Sequence, residues 1–194
     1  MLIACVKVGD KYDDRYVRRL QGAVKRHLPP SSGCTFVCYT DKAVDGVICE
    51  QLPAKLPGWW AKLGLLKLKE PLIYFDLDVV ITGSLGPLLD WDGFGIIRDY
   101  WLPGFNSSVM KLTGNEGHLW NAFHPDMMRT FYMGDQHYIS CMMPEAPTFP
   151  PEWFPSWKAN KCQDAAPEGA LAVVFHGEPK PCQIESGWVK EMWI

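Results

Sequence analysis

Two aspartates inside an apolar run are the residues with the clearest capacity for chemistry. The run covers residues 72–81 and contains Asp76 and Asp78. Its β-branched and aromatic residues predict one strand buried on both faces, as in the middle of a parallel sheet. Because side chains alternate along a strand, both carboxylates should project to one side and Leu77 to the other. Two buried like charges are costly without a cation between them, so the spacing predicts a divalent metal with oxygen ligands at the carboxyl end of the strand.

Three uses of such an acidic pair are open at this point. Phosphatases of the haloacid dehalogenase type use the first aspartate as nucleophile, which would be Asp76. Metal-dependent nucleotide-sugar glycosyltransferases use both aspartates to hold the ion that binds the donor diphosphate. The pair could also be two solvated acids on an edge strand. The pair follows a long segment with strand and helix patterns, and no clear second acidic pair comes later, which favours the glycosyltransferase interpretation.

Length and composition favour one globular α/β domain over residues 1–194. Hydrophobic residues make up 47% of the chain and charged residues 21%. The formal net charge of -3 gives no electrostatic reason to expect nucleic acid or an acidic membrane as a partner. Nine tryptophans exceed what one core needs, and their flat faces suit sugar rings. A carbohydrate-binding module without turnover is therefore a further candidate.

The cysteines and the first residues favour a reducing compartment. Seven cysteines are scattered without a Cys-x-x-Cys pair, which favours free thiols over disulfides or a zinc site. The N-terminal apolar run is too short for a signal peptide, and no run approaches the roughly 20 residues that a membrane-spanning helix needs. We expect a cytoplasmic protein with no transmembrane segment.

The first part of the chain predicts a β-α-β unit, with strands at 2–6 and 35–39 and a helix at 16–28. Such units bind nucleotides where their strands end. Gly9 would let the backbone approach the ligand, Tyr12 would stack on a base, and Asp41 would accept hydrogen bonds from a base or ribose. No Gly-x-Gly-x-x-Gly or P-loop pattern is present, which argues against a Rossmann dinucleotide site and an NTPase.

The rest of the chain predicts short helices and strands that carry further polar residues. Helices are predicted at 59–68, 115–123, 125–132 and 134–141, and strands at 94–99, 105–112 and 171–175. Residues 144–167 are rich in proline and aromatic residues without a clear period. They predict an ordered loop that lines a site.

The order of these motifs resembles the retaining glycosyltransferases of family eight, the group of glycogenin and the bacterial lipopolysaccharide galactosyltransferases. Each matching motif is weak evidence alone, and the resemblance rests on the motifs occurring in the same order as in the family. Three departures stand out: Ser108 replaces a glycine, no tryptophan follows Pro181, and Val174 stands where the family has a histidine. The matching segments are Gly9 to Tyr12, Lys62-Leu63, Asp76-Leu77-Asp78, Asp99, Asn106-Ser107-Ser108, Gly134-Asp135-Gln136 and Gly177 to Pro181.

This resemblance implies a single nucleotide-diphospho-sugar transferase domain of GT-A type, with a mostly parallel central sheet flanked by helices. The implied activity is retaining hexosyl transfer from a UDP-sugar to a glycan, protein or small-molecule acceptor. The implied metal is Mn²⁺ or Mg²⁺, bound by Asp76, Asp78 and, despite its shifted register, His176. The implied catalytic residues are Asp135, Gln136 and Lys62. The implied donor contacts are Val8, Gly9, Tyr12, Asp41, Lys62, Asp76, Leu77, Asp78, Asp99, Asn106, Ser107, Gly177 and Lys180.

Overall fold

A six-stranded sheet forms the centre of the computed structural model, which describes residues 1–194. In chain order the strands are β1 (Leu2–Lys7), β2 (Thr35–Thr40), β3 (Cys49–Gln51), β4 (Leu72–Phe75), β5 (Val79–Ile81), β6 (Gly95–Arg98), β7 (Phe105–Leu112) and β8 (Ala172–Val174). The central sheet has the order β3-β2-β1-β4-β7-β6, and β5 pairs with β8 in a separate two-stranded sheet. Strands β3, β2, β1 and β4 run parallel, whereas β7 is antiparallel to both of its neighbours. The predicted α/β class with a mostly parallel sheet is confirmed.

Helices cover both faces of this sheet. They are α1 (Asp14–His27), α2 (Gly86–Asp90), α3 (Gly117–Ala122), α4 (Asp135–Met142) and α5 (Trp188–Met192). Short 3₁₀ helices occupy Gly58–Lys67, Pro125–Arg129, Pro151–Trp153 and Pro181–Gln183. The predicted helices at 59–68 and 125–132 are therefore 3₁₀ rather than α-helical, and the sequence patterns missed β3, α2 and α5. None of the helices is both long enough and apolar enough to cross a membrane.

The longest helix shows why these segments fold as they do. Asp13 caps the start of α1 by accepting a hydrogen bond from the backbone N–H of Arg15, and Pro29 and Pro30 follow its end. Its apolar residues recur at helical spacing, so that one side of the helix is buried against the sheet.

Two apolar clusters fill the space on either side of the sheet. Ile3 and Cys5 of β1 belong to the cluster that includes α1, β5, β8 and α5. Ala4 points the other way, into the cluster that includes the 3₁₀ helix Gly58–Lys67, α3 and α4. Alternate residues of one strand thus enter different clusters, which explains why the central strands are apolar along their whole length.

The acidic run at 72–81 is not one strand, contrary to the sequence prediction. β4 ends at Phe75, a turn occupies 76–78, and β5 begins at Val79 in the other sheet. The backbone N–H of Asp76 donates to the carbonyl of Ser108 on β7 at 2.8 Å, and that of Val79 donates to the carbonyl of Asp76 at 3.3 Å. Both short strands are fully buried, so the sequence is apolar through both. The turn, rather than strand alternation, therefore positions the two carboxylates.

The contact between the two-stranded sheet and the loop before β8 leaves no room for a side chain at Gly83. A Cβ atom there would lie 2.4 Å from the carbonyl oxygen of Ala170. We expect Gly83→Ala to lower the free energy of unfolding by about 1–3 kcal/mol, because the two backbones must move apart. Urea unfolding measures this loss.

Gly22→Ala is the matched control. Its added Cβ would meet only the mobile end of Arg26 closer than 3.4 Å, inside α1. Replacing a helical glycine with alanine should leave stability unchanged or raise it by up to about 1 kcal/mol. Equal stability of Gly83→Ala and the wild type would mean that this close approach does not constrain the fold.

Candidate functional site

One cavity gathers most of the residues predicted to do chemistry. It has a volume of about 600 Å³ and lies where β1 and β4 end. The segment after β8 and the start of α4 also contribute to its wall. The predicted residues that line it are Val8, Tyr12, Lys62, Asp76, Leu77, Asp78, Asn106, Ser107, Asp135, Gln136, His176, Gly177 and Lys180.

A second cavity of about 860 Å³ adjoins the first, and Val8 and Gly58 line both. It contains the two remaining residues of the predicted nucleotide segment, Gly9 and Asp41, which follow the ends of β1 and β2. Asp41 Oδ2 accepts a hydrogen bond from the backbone N–H of Gly9 at 3.1 Å. Gly9 has a φ of 63°, in the left-handed region that favours glycine. The two cavities together form an extended groove along the carboxyl edge of the parallel strands.

Lys62 is the centre of a buried ionic network on the wall of the first cavity. Its ammonium lies 2.7 Å from Asp76 Oδ1 and 3.6 Å from Asp135 Oδ2. It also donates to the hydroxyl of Ser107 at 3.2 Å, and that hydroxyl donates to Asp135 Oδ2 at 2.5 Å. The side chain is only 6% exposed, so water cannot replace these partners. Lys62 therefore joins the 3₁₀ helix Gly58–Lys67, the acidic turn and α4.

Asp78 has a different set of partners on the opposite side of the turn. Asp78 Oδ2 accepts hydrogen bonds from Lys180 Nζ at 2.5 Å and from the Tyr12 hydroxyl at 2.8 Å. Lys180 comes from the segment after β8, and Tyr12 from the loop before α1. Lys180 thus joins the segment after β8 to the acidic turn between the two sheets.

Burial and charge shift the pKa values of the three aspartates in different directions. Burial opposes ionisation of Asp76, yet the Lys62 ammonium and the Tyr74 hydroxyl, which donates at 2.5 Å, lower its pKa below the ordinary value. Burial raises the pKa of Asp78, and the charge on Asp76 adds to this effect. Burial also raises the pKa of Asp135, although Lys62 opposes the shift. Asp76 is therefore the acid most strongly held as a carboxylate.

His176 lines the cavity but does not form a three-residue set with the acidic pair. Its Nε2 is 2.6 Å from the hydroxyl of Ser156. Its ring stacks on Tyr100 with a centroid distance of 5.4 Å and meets the edge of Trp101 at 4.4 Å. Burial lowers its pKa, and the Lys158 charge acts in the same direction. These contacts favour a neutral imidazole that is bonded away from the aspartates.

Asp99, which the resemblance implied as a donor contact, lies outside both cavities. Its Oδ1 accepts hydrogen bonds from the backbone N–H groups of Trp101 and Leu102, each at 2.9 Å. An aspartate that bonds to backbone groups two and three residues ahead stabilises a turn. In this structure Asp99 orders the loop that carries Trp101.

The donor atoms of Asp76 and Asp78 suit a hard divalent cation. The lysine and tyrosine hydrogen bonds all go to one oxygen of each carboxylate, Asp76 Oδ1 and Asp78 Oδ2. No group of three histidine, cysteine or acidic side chains is arranged to hold a metal. Mg²⁺ is commonly held by one or two carboxylates and completes its shell with substrate phosphates and water. Two carboxylates therefore fit such an ion.

Several cavity residues were absent from the sequence prediction. Tyr74 lies on β4 just before the acidic turn, and its hydroxyl donates to Asp76, a contact that the sequence did not predict. Trp59, Tyr132 and Met133 also line the cavity, and no local pattern distinguishes them from core residues.

Comparison with known proteins establishes the fold. Sequence comparison finds no matching family model and no matching curated protein. The structure superposes on an active-site mutant of LgtC with a TM-score of 0.74 and 14% identity, covering 100% of this chain and 94% of that one. The galactosyltransferase LgtC in complex with donor and acceptor sugar analogs gives a TM-score of 0.70 at 14% identity, covering 95% and 90%. GlyE of Streptococcus pneumoniae gives 0.69 at 17% identity, covering 98% of this chain and 59% of that one. The chain therefore has the GT-A fold that these glycosyltransferases share.

The buried network predicts that Lys62 is essential for stability. Lys62→Met would leave Asp135 buried and Asp76 partly buried without their shared cation, and loss of one member of a buried ion pair costs about 3–5 kcal/mol. In the variant the folded-state pKa of both acids should rise, so that the folded protein binds protons more tightly than the unfolded chain. The stability deficit should therefore shrink as pH falls from about 7 to about 4. Urea unfolding at several pH values measures it.

Lys25→Met is the control, because Lys25 is exposed on α1 and makes no side-chain hydrogen bond or ion pair. It should change stability by no more than about 0.5 kcal/mol, without the pH dependence. If Lys62→Met were as stable as this control at neutral pH, the ammonium would not hold the two carboxylates together.

Proposed function

We propose that this protein is a metal-dependent glycosyltransferase that moves a sugar from a UDP-sugar to an acceptor with retention of configuration. The observation that carries the proposal is the convergence of Asp76 and Asp78 with two lysines and Asp135 in one cavity of a GT-A fold. The neighbouring structures are glycosyltransferases by name, and the motif order resembles family eight. These two lines of support come from different properties of the chain.

The extended groove suits a nucleotide-sugar in one orientation. The larger cavity, with Gly9 and Asp41, would take the nucleoside, and the smaller would take the diphosphate and sugar. Tyr12 lines the smaller cavity, where its hydroxyl is bonded to Asp78, so its role would be to orient that carboxylate rather than to stack on a base. The choice of uracil as the base comes from the resemblance to family eight.

Asp76 and Asp78 would hold Mn²⁺ or Mg²⁺, and His176 would serve as a third ligand only by exchanging its bond to Ser156 for one to the ion. When bound, the ion would act as a Lewis acid that neutralises charge on the departing diphosphate. Lys180 already lies beside Asp78 and would add a second positive charge to the same leaving group. Lys62 would keep Asp76 ionised through its 2.7 Å contact.

Asp135 and Gln136 would act on the sugar, because both line the cavity at the start of α4. As the glycosidic bond to the diphosphate breaks, positive charge develops on the ring, and an ionised Asp135 with the Gln136 amide would stabilise it. Burial raises the pKa of Asp135, so this role would favour higher pH. Asn106 and Ser107, both buried on β7, would orient the sugar or the Asp135 carboxylate.

One assay separates this proposal from the two other candidate classes. The protein is incubated with a panel of UDP-sugars and Mn²⁺, and UDP release is measured beside phosphate release from a generic phosphomonoester. UDP release supports the glycosyltransferase. Phosphate release would instead indicate a phosphatase that uses Asp76, and sugar binding without either product would indicate a carbohydrate-binding module.

The metal proposal predicts that UDP binding requires a divalent cation. In calorimetry we expect tight UDP binding with Mn²⁺ and little with EDTA. Asp78→Asn should abolish the Mn²⁺-dependent part, because one of the two carboxylate ligands loses its charge. His176→Ala should weaken it by about 10-fold, the usual scale for loss of a metal-site partner.

Asp164→Asn serves as the control, since Asp164 is exposed and lies outside both cavities. Equal UDP binding in EDTA and Mn²⁺ would contradict the role of the metal. Unchanged Mn²⁺ dependence in His176→Ala alone would leave the acidic pair as the protein ligands and remove the histidine.

The catalytic proposal predicts that Asp135→Asn and Gln136→Ala lower kcat much more than they raise the KM for the donor. Groups that act mainly on the transition state have this signature. Initial rates of UDP release at varied donor concentration measure both constants. Gln163→Ala, at an exposed glutamine outside the cavities, should leave them unchanged. A wild-type kcat in both site variants would contradict the catalytic proposal and leave Asp135 with a purely structural role.

A further inference from the structure

Large exposed apolar side chains are concentrated beside the first cavity. Eight such side chains occur in the whole chain, and four of them are Trp59, Trp101, Leu102 and Tyr132. Trp59 and Tyr132 line the cavity. Trp101 lies 4.4 Å from the ring of His176, another lining residue, and Leu102 follows it in the chain. The mouth of the cavity is thus rimmed by aromatic groups that do not contribute to a core.

Trp59 is held in a fixed position although 57% of it is exposed. Its indole ring lies against the backbone of Gly134, so close that a Cβ atom on Gly134 would be 2.4 Å from Trp59 Nε1. Gly134 also has a φ of 82°, in the region that favours glycine. Its neighbour Trp60 is 6% exposed and packs against Phe123 in the core. The sequence pair therefore divides into one core residue and one exposed residue that lines the cavity.

The position of Trp59 relates it directly to the polar groups of the site. Gly134 precedes α4, whose first two residues are Asp135 and Gln136. All three of Trp59, Asp135 and Gln136 line the same cavity. Tyr132 stands on the same segment, 78% exposed, with its ring edge against His137 at 5.3 Å. An apolar aromatic face and hydrogen-bonding groups are thus combined at one end of the cavity.

We propose that Trp59, assisted by Tyr132, forms a subsite for a pyranose ring, so that the acceptor is a saccharide. Pyranose rings have apolar C–H faces and hydroxyl edges, and they need an aromatic surface next to hydrogen-bonding groups. An apolar peptide segment would use the aromatic surface but not the carboxylate and amide beside it. That the sugar is an acceptor rests on the proposed function, whereas its binding at Trp59 does not.

Binding is tested first, without any donor. Methyl β-galactopyranoside, methyl β-glucopyranoside and lactose are titrated by saturation-transfer NMR against the wild type, Trp59→Ala, Trp59→Phe and Ile48→Ala. We expect at least one saccharide to bind and Trp59→Ala to weaken it by about 10-fold. Trp59→Phe should retain most of the binding because a flat aromatic face remains. Ile48→Ala removes an exposed apolar side chain outside both cavities and should have no effect.

Turnover is tested second, with UDP-sugar hydrolysis in the absence of acceptor as the internal reference. Trp59→Ala should lower the ratio of transfer to hydrolysis by about 10-fold, and because both rates are taken within one variant, the ratio cancels any change that the substitution causes at Asp135 and Gln136. Thermal unfolding of each variant confirms that the fold is intact, and Trp59→Phe provides the conservative comparison should the alanine variant be unstable.

The outcomes distinguish this inference from the proposed function. Hydrolysis of a UDP-sugar with no saccharide binding or transfer would overturn the acceptor subsite and leave the glycosyltransferase proposal standing. Saccharide binding that depends on Trp59, without UDP-sugar hydrolysis, would support the subsite and overturn the transferase. Transfer to serine, threonine or tyrosine peptides but to no saccharide would overturn the saccharide assignment. A dimer seen by light scattering and lost in Trp59→Ala would assign the aromatic rim to a second copy instead.

Discussion

The ammonium of Lys62 between Asp76 and Asp135 is the constraint on which the site depends. These three residues come from a 3₁₀ helix, a turn between two sheets and the start of an α-helix. A lysine that is 6% exposed cannot be solvated, so its charge must be matched by carboxylates at hydrogen-bonding or ion-pair distance. Its contacts of 2.7 and 3.6 Å therefore fix the relative positions of three elements. Because all three residues line the cavity, the need to pair the Lys62 charge also sets the arrangement of the cavity wall.

The two sheets meet at the acidic turn, and this division gives its two aspartates different environments. Asp76 continues from β4 and faces Lys62 and Tyr74, which lower its pKa although burial opposes ionisation. Asp78 leads into β5, which pairs with β8, and the segment after β8 returns Lys180 to it. Burial and the charge of Asp76 nevertheless raise the pKa of Asp78. The two aspartates look equivalent in sequence, but the fold lowers the pKa of Asp76 and raises the pKa of Asp78.

The cavity combines an ionic wall with an aromatic mouth, and each part has a physical basis in the fold. The ionic wall is buried, because charges that must bind a ligand strongly act best away from water. The aromatic residues are exposed because nothing in the fold covers them, and Gly134 keeps Trp59 in place without burying it. The proposed donor subsite uses the ionic wall, and the proposed acceptor subsite combines the aromatic mouth with Asp135 and Gln136.

The amino-acid sequence by itself determined the α/β class and most of the strands and helices. Residue types and local periodicity suffice for these features, because burial imposes its pattern on neighbours in the chain. Asp76 and Asp78 stand out because charges are rare in buried strands. Asp135 and Lys180 were expected at the site because their segments resemble those of family eight.

Only the tertiary structure decided where one strand ends and another sheet begins. Two buried strands in different sheets are as apolar as one long strand, so the turn at 76–78 left no mark in the hydrophobic pattern. The hydrophobic pattern also did not show which partners the polar side chains bond to. His176 bonds to Ser156, twenty residues away, and Asp99 accepts hydrogen bonds from the backbone of its own loop. A sequence pattern records that a side chain is buried or polar, but the choice of partner depends on distances that exist only after the chain has folded.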